Sequence, residues 1–311
     1  MDISLANTEG FFQLHDFLES FDRSMKVTTG ALELAGTLAP NPASSLAGNL
    51  IRLPVGDEPW GEDLRWRSLD SVVKSSKLFV AQMGLMQVFS AFENFLINSK
   101  AEHDRFRSVV YGEQSDRSTT ASVEDIGLRR LCQEIGFLIS KLEYALPLYD
   151  YFVAMRNCLA HRSGRASNEL VAKSSSEEVL AAFERWPRRK GRPLPKLPDA
   201  TYGKTIPLFA RHSIFAGLVC RSVAKAINDH QIFQFGDRGL VLMAAHHSLL
   251  TEDPKILAPK KNAEAVVNDF LCGRYRVRMD HDHEIHRILK ELDLSTSCRD
   301  RYRCLYGKPR Y

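Results

Sequence analysis

Three polar side chains interrupt the apolar run Tyr151-Phe-Val-Ala-Met-Arg-Asn-Cys-Leu-Ala-His161: Arg156, Asn157 and His161. Arginine presents a planar fork that matches two oxygens of a phosphate group. Histidine is the side chain best suited to exchange a proton near neutral pH. Together they could cleave an RNA backbone without a metal ion. His161 would take the proton of a 2′-hydroxyl or return one to the leaving 5′-oxygen. Arg156 would stabilise the charge that develops on the pentavalent phosphorus. Asn157 stands four residues before His161, a spacing that puts the two on one helix face, and an orienting role suits its amide.

For this chemistry a helix must hold the residues, and the surrounding sequence supplies one. Pro147 fits the first turn of a helix, where its missing N–H is not needed, and Gly164 stands where a helix end or turn is expected. Arg156 and His161 are five residues apart, about 140° around a helix axis, so the arginine has to curl back towards the histidine face. The bare spacing is common: Arg276 to His281 and Arg278 to His283 repeat it, without the amide or the apolar helix. An arginine and a histidine near a helix end can also cap carbonyls and pair with carboxylates such as Glu93 or Asp150. Glu93 could instead support the site.

The sequence RNCLAH at 156–161, with Gly164 after it, resembles the motif of the HEPN superfamily, whose ribonuclease members carry an arginine, a polar residue such as asparagine, and a histidine a few positions on. The resemblance covers about residues 10–230. It implies a bundle of four or five helices, a homodimer with both motifs facing one shared cleft, and metal-independent endoribonuclease activity with no cofactor. It would place the chain among toxins, phage-defence effectors or RNA-processing factors, with RNA as substrate and room for an antitoxin or other regulatory partner. A non-catalytic HEPN module that dimerises and binds RNA or a protein is the alternative. The family's nucleotidyltransferase-linked toxins commonly have a tyrosine two places after the histidine; Ser163 departs from that subgroup.

The wider pattern reads as all-α. Apolar residues recur at three- and four-residue intervals over about 10–36, 64–106, 122–142, 147–163 and 206–229, with shorter stretches at 237–250, 262–272 and 282–292. Prolines and glycines break residues 37–61 into a loop, and 107–121 is a second, polar one. The segment 64–106 is apolar on nearly all sides and reads as a central buried helix. Ser122-Val-Glu-Asp125 and Ser175-Ser-Glu-Glu178 have the form of capping boxes. Residues 1–235 are expected to form the HEPN-like domain, and 236–311 a C-terminal helical extension with a basic-aromatic tail.

Two basic segments are candidate RNA contacts. The proline-rich stretch 187–198 holds Arg188, Arg189, Lys190 and Arg192, and the tail from Cys298 interleaves Arg301 and Arg303 with aromatic rings. Arg162 and Arg165 follow the motif. The proline-rich stretch reads first as a surface loop, and the tail could equally be a solvated extension. A net charge of +4 is too small to imply nucleic-acid binding by itself. Six cysteines without a CxxC pair suggest buried thiols in a reducing compartment. With no signal-peptide pattern and no long apolar span, the expectation is a cytoplasmic protein without a membrane partner. His281, His283 and His286, with Asp280 and Asp282, lack the HExxH order of zinc proteases, so an exposed helix start is preferred over a metal site.

Overall fold

The computed structural model describes residues 5–37, 69–112, 127–188, 194–254, 260–279 and 281–307. Among these residues there are ten α-helices and no strand, so the all-α expectation holds. In chain order they are α1 (Glu9–Thr37), α2 (Leu69–Tyr111), α3 (Leu128–Glu134), α4 (Ala145–Arg162), α5 (Asn168–Ser174), α6 (Glu177–Arg185), α7 (Ala210–Ala245), α8 (Ala263–Phe270), α9 (Asp282–Glu291) and α10 (Ser295–Tyr306). No helix among the described residues is long and apolar enough to cross a membrane.

The chain divides into two compact units, each discontinuous in sequence. The first holds residues 1–17, 90–146 and 220–311, and the second holds 18–89 and 147–219. The expected boundary at 235/236 falls inside the first unit. Helices α1, α2 and α7 each contribute a segment to both units.

Within the first unit, residues from α8, α9 and α10 share one core with Ala6, Phe106, Ile232 and Phe235. Asn228 on α7 ties down the N-terminal segment: its Oδ1 accepts from the Thr8 amide at 2.7 Å and its Nδ2 donates to the Ala6 carbonyl at 3.1 Å. Turns between helices here carry two five-residue π-turns, His246–Leu250 and Leu271–Tyr275.

Within the second unit, Phe215 of α7 is the hub of an aromatic cluster. Phe152, Phe183 and Trp186 meet it edge-on with ring centroids 5.7, 6.0 and 5.3 Å away. The Ser213 hydroxyl donates to the Ala81 carbonyl at 2.6 Å, and Gly84 leaves room for Met25 of α1. Each approach is close because one partner is small.

Several sequence expectations change. Helix α2 buries a single stripe (Ala81, Leu85, Val88, Phe92, Phe95, Leu96) and exposes Phe79 and Met83, so it is not apolar all round in its setting. The helix expected through Leu142 ends at Glu134, because Gly136 adopts φ +69° and a short 3-10 turn, Ile139–Leu142, follows. The first capping box lies outside the described residues. In the second, Ser176 rather than Ser175 is the cap, its hydroxyl accepting from the Val179 amide at 3.3 Å. Helix α7 starts at Ala210 and runs past Asp229, with a break at Gly236 (φ 53°, ψ −163°). The tail read as an extension is helix α10, with Cys298 and Tyr302 buried.

A buried histidine at the start of α7 gives the second unit a pH signature. His212 Nδ1 accepts from the Phe209 amide at 3.1 Å, so Nε2 carries the proton donated to the Lys196 carbonyl at 3.0 Å. Burial, helped by neighbouring Arg211, pushes its pKa down to about 4. The unfolded chain therefore binds a proton near pH 6.5 that the folded chain refuses until about pH 4. Stability from this group is complete above pH 6.5 and is lost as pH falls towards 4. Relative to wild type, His212→Gln should show a flatter stability profile across that window in denaturant titrations. Parallel profiles would remove His212 as the cause.

Candidate functional site

Helix α4 positions the motif through the side chains it buries. Leu148, Tyr151, Phe152, Met155 and Cys158 face the core of the second unit, all essentially without solvent exposure. Arg156 stands one turn beyond Phe152 and so shares the edge of that buried face, which leaves it half-buried. Asn157 is also half-buried, and His161, in the last turn, is exposed. A cationic last turn suits the negative end of the helix dipole.

The structure brings two of the three motif residues together. Arg156 Nη1 donates to Asn157 Oδ1 at 3.3 Å. This holds the guanidinium against its neighbour. His161 follows Asn157 by one turn and presents its imidazole to solvent.

A tight turn ends α4. Ser163 and Gly164 both take positive φ, 51° and 76°. The Gly164 amide reaches back to the Cys158 carbonyl at 3.1 Å, and the Arg165 amide to that of Arg162 at 3.0 Å. The segment 201–206 clamps this turn. The Ile206 amide donates to the Gly164 carbonyl, the Ala166 amide to that of Lys204, and the Gly203 amide to that of Ala166, at 2.9–3.0 Å. Arg165 and Thr205 form an isolated antiparallel bridge. The Ser167 amide donates to Cys158 Sγ at 3.3 Å, while the Ser167 hydroxyl caps α5.

Sequence reasoning missed this clamp and α5. The only local signal was Gly203 in Thr201-Tyr-Gly-Lys-Thr205, which adopts φ +71°. Beside the motif it brings exposed Tyr202, whose ring lies 5.8 Å from the Arg162 guanidinium carbon, and exposed Lys204. With Arg165, also exposed, these make a cationic surface with one stackable ring directly after His161. Such a surface can hold phosphates and a base.

The other candidates fall elsewhere. Glu93 is exposed on α2, in the segment assigned to the first unit. Arg188 pairs with Glu184 at 2.7 Å, whereas Arg189, Lys190 and Arg192 lie outside the described residues. Arg301 is not a free cation of a tail: its guanidinium donates to the Leu249 and Thr251 carbonyls at 3.2 and 3.3 Å, closing the end of a π-turn. Arg303 pairs with Asp300 at 3.4 Å and is exposed. The His281 and His283 rings stack at 5.0 Å, and His286 pairs with Glu264 at 2.9 Å. Among the described residues no three His, Cys, Asp or Glu side chains are grouped to hold a metal ion.

Gly164 is the point where this geometry is most sensitive. A Cβ there would sit 2.9 Å from Gln82 Nε2 and would be held at φ +76°. Gly164→Ala should destabilise the chain by about 1–2 kcal/mol, the cost of the left-handed backbone. Because Gln82 can swing aside, the Gln82→Ala background should recover only the contact part. Full recovery in that background would place the cost in the contact and not in the backbone.

No family model, curated protein or solved structure gives a significant match to this chain.

Proposed function

We propose that this protein is a HEPN-type, metal-independent endoribonuclease that acts as a homodimer, two motifs forming one composite site. The observation that carries the reading is the end of α4: a guanidinium oriented by Asn157 at 3.3 Å, with an exposed imidazole one turn on. His161 accepts the 2′-hydroxyl proton, the freed oxygen attacks the adjacent phosphorus, and the bond to the 5′-oxygen breaks as the His161 imidazolium returns that proton to it, leaving a 2′,3′-cyclic phosphate. Arg156 stabilises the charge on the non-bridging oxygens. Arg162, Arg165 and Lys204 hold flanking phosphates, and Tyr202 offers a face for a base. A role as toxin or phage-defence effector follows from the motif resemblance alone.

A second reading rests on the same hydrogen bond. A guanidinium that is half-buried and engaged by its neighbour also suits a structural role, and the domain would then be a non-catalytic dimer that binds RNA or a protein. Incubating purified protein with total RNA in EDTA separates the two. The enzyme reading expects cleavage with 2′,3′-cyclic phosphate or 3′-phosphate ends. Products ending in a 3′-hydroxyl would contradict attack by the 2′-oxygen. Sedimentation at micromolar concentration should show a dimer, and a strict monomer would remove the composite site.

A further inference from the structure

The first unit holds an open cleft of about 680 Å³ at the end of α8, well within the size range of small-molecule sites. Lys260, Asn268, Asp269, Arg276, Arg278 and Asp282 supply its polar lining. Both carboxylates already have an ammonium partner: Asp269 meets Lys260 at 2.9 Å, and Asp282 meets Lys261 at 3.0 Å. Among the described residues neither Arg276 nor Arg278 has an ion-pair partner, so the lining keeps two uncompensated positive charges.

The backbone fixes where those charges stand. Asn268 Nδ2 donates to the Met279 carbonyl at 3.2 Å, and its Oδ1 accepts from the Met279 amide at 3.4 Å, tying the segment after the π-turn to α8. Val277 and Met279 are buried, so Arg276 and Arg278 both face outwards. Arg276 ends the Leu271–Tyr275 π-turn in the left-handed region, φ 56° and ψ 30°. A non-glycine residue costs about 1–2 kcal/mol there, and π-turns and such outliers gather at functional sites.

We propose that this cleft binds a small phosphomonoester, its dianion clamped between the Arg276 and Arg278 guanidiniums and its hydroxyl groups donating to Asp269 and Asp282. Two guanidinium forks match the two charges of the dianion. Among the described residues no aromatic ring lines the cleft, so a base would find only guanidinium planes to stack on, which favours a sugar phosphate over a nucleic acid. The site is independent of the α4 motif and of the ribonuclease reading.

Calorimetry on the full chain tests it, with ribose 5-phosphate as probe and ribose, inorganic phosphate and an RNA pentamer lacking terminal phosphates as comparisons. Saturable binding of ribose 5-phosphate with Kd below about 1 mM is expected, and no heat from ribose. Arg278→Gln and Arg276→Gln should each weaken it at least about tenfold, and Arg278→Lys less, because the charge stays while the fork is lost. Affinity should fall between about pH 7 and about pH 5.5, as the second phosphate proton returns. Circular dichroism on each variant shows whether the exposed substitutions leave the fold intact. No heat up to about 10 mM ribose 5-phosphate would overturn the proposal. So would unchanged binding in both glutamine variants, or equal or tighter binding of the pentamer.

Discussion

His161→Ala is expected to lower RNA cleavage by about 10²–10⁴-fold, the usual contribution of a positioned proton-transfer group. The imidazole is exposed at the end of α4, so its loss should leave stability within about 0.5 kcal/mol of wild type. That contrast separates chemistry from folding. Arg156→Ala should cost about 10²–10³-fold through lost charge stabilisation, together with some stability, because the side chain is half-buried and bonded to Asn157. Arg156→Lys keeps the charge and loses the fork, so most of the deficit should remain. The double variant should be little worse than the worse single one, since the two groups act in one step. Cleavage within about twofold of wild type in His161→Ala would rule out this imidazole as the proton carrier, whereas RNA left equally intact by wild type and both single variants would favour the non-catalytic dimer.

Phe152→Ala should destabilise the second unit by about 3–5 kcal/mol, the range for emptying a buried aromatic site. Phe152 has no solvent exposure and meets Phe215 edge-on at 5.7 Å, while Phe183 and Trp186 hold Phe215 from other sides. Those rings limit how far the cavity can collapse. Phe152→Leu, which keeps much of the volume, should cost about 1.5 kcal/mol or less. Denaturant unfolding followed by circular dichroism measures both. An alanine variant within about 1 kcal/mol of wild type would show that the cluster repacks freely. Since Arg156 follows Phe152 by one turn, the same cavity should loosen the Arg156–Asn157 hydrogen bond.

The helical character of α1, α2, α4 and α7 was legible because apolar spacing of three and four is a property of neighbouring residues. The turn at Gly164 was legible for a similar local reason: only glycine takes φ +76° at little cost. Exposure was not. Phe79 and Met83 look like core residues in sequence, yet they lie on an exposed face of α2, and which face is covered depends on distant partners. The basic residues of α10 likewise read as an RNA-facing or solvated strip until Arg301 meets carbonyls about 50 residues earlier.

From sequence alone, the Arg156, Asn157 and His161 constellation could be placed on one apolar helix ending in a glycine turn, because helix period and turn chemistry act within a few residues. Only the tertiary structure decided that Arg156 sits at the buried edge while His161 faces solvent. It alone brought the segment 201–206, with Tyr202 and Lys204, against the end of that helix. Those outcomes depend on contacts about 40 residues apart in the chain, whose formation is governed by which apolar faces pack together.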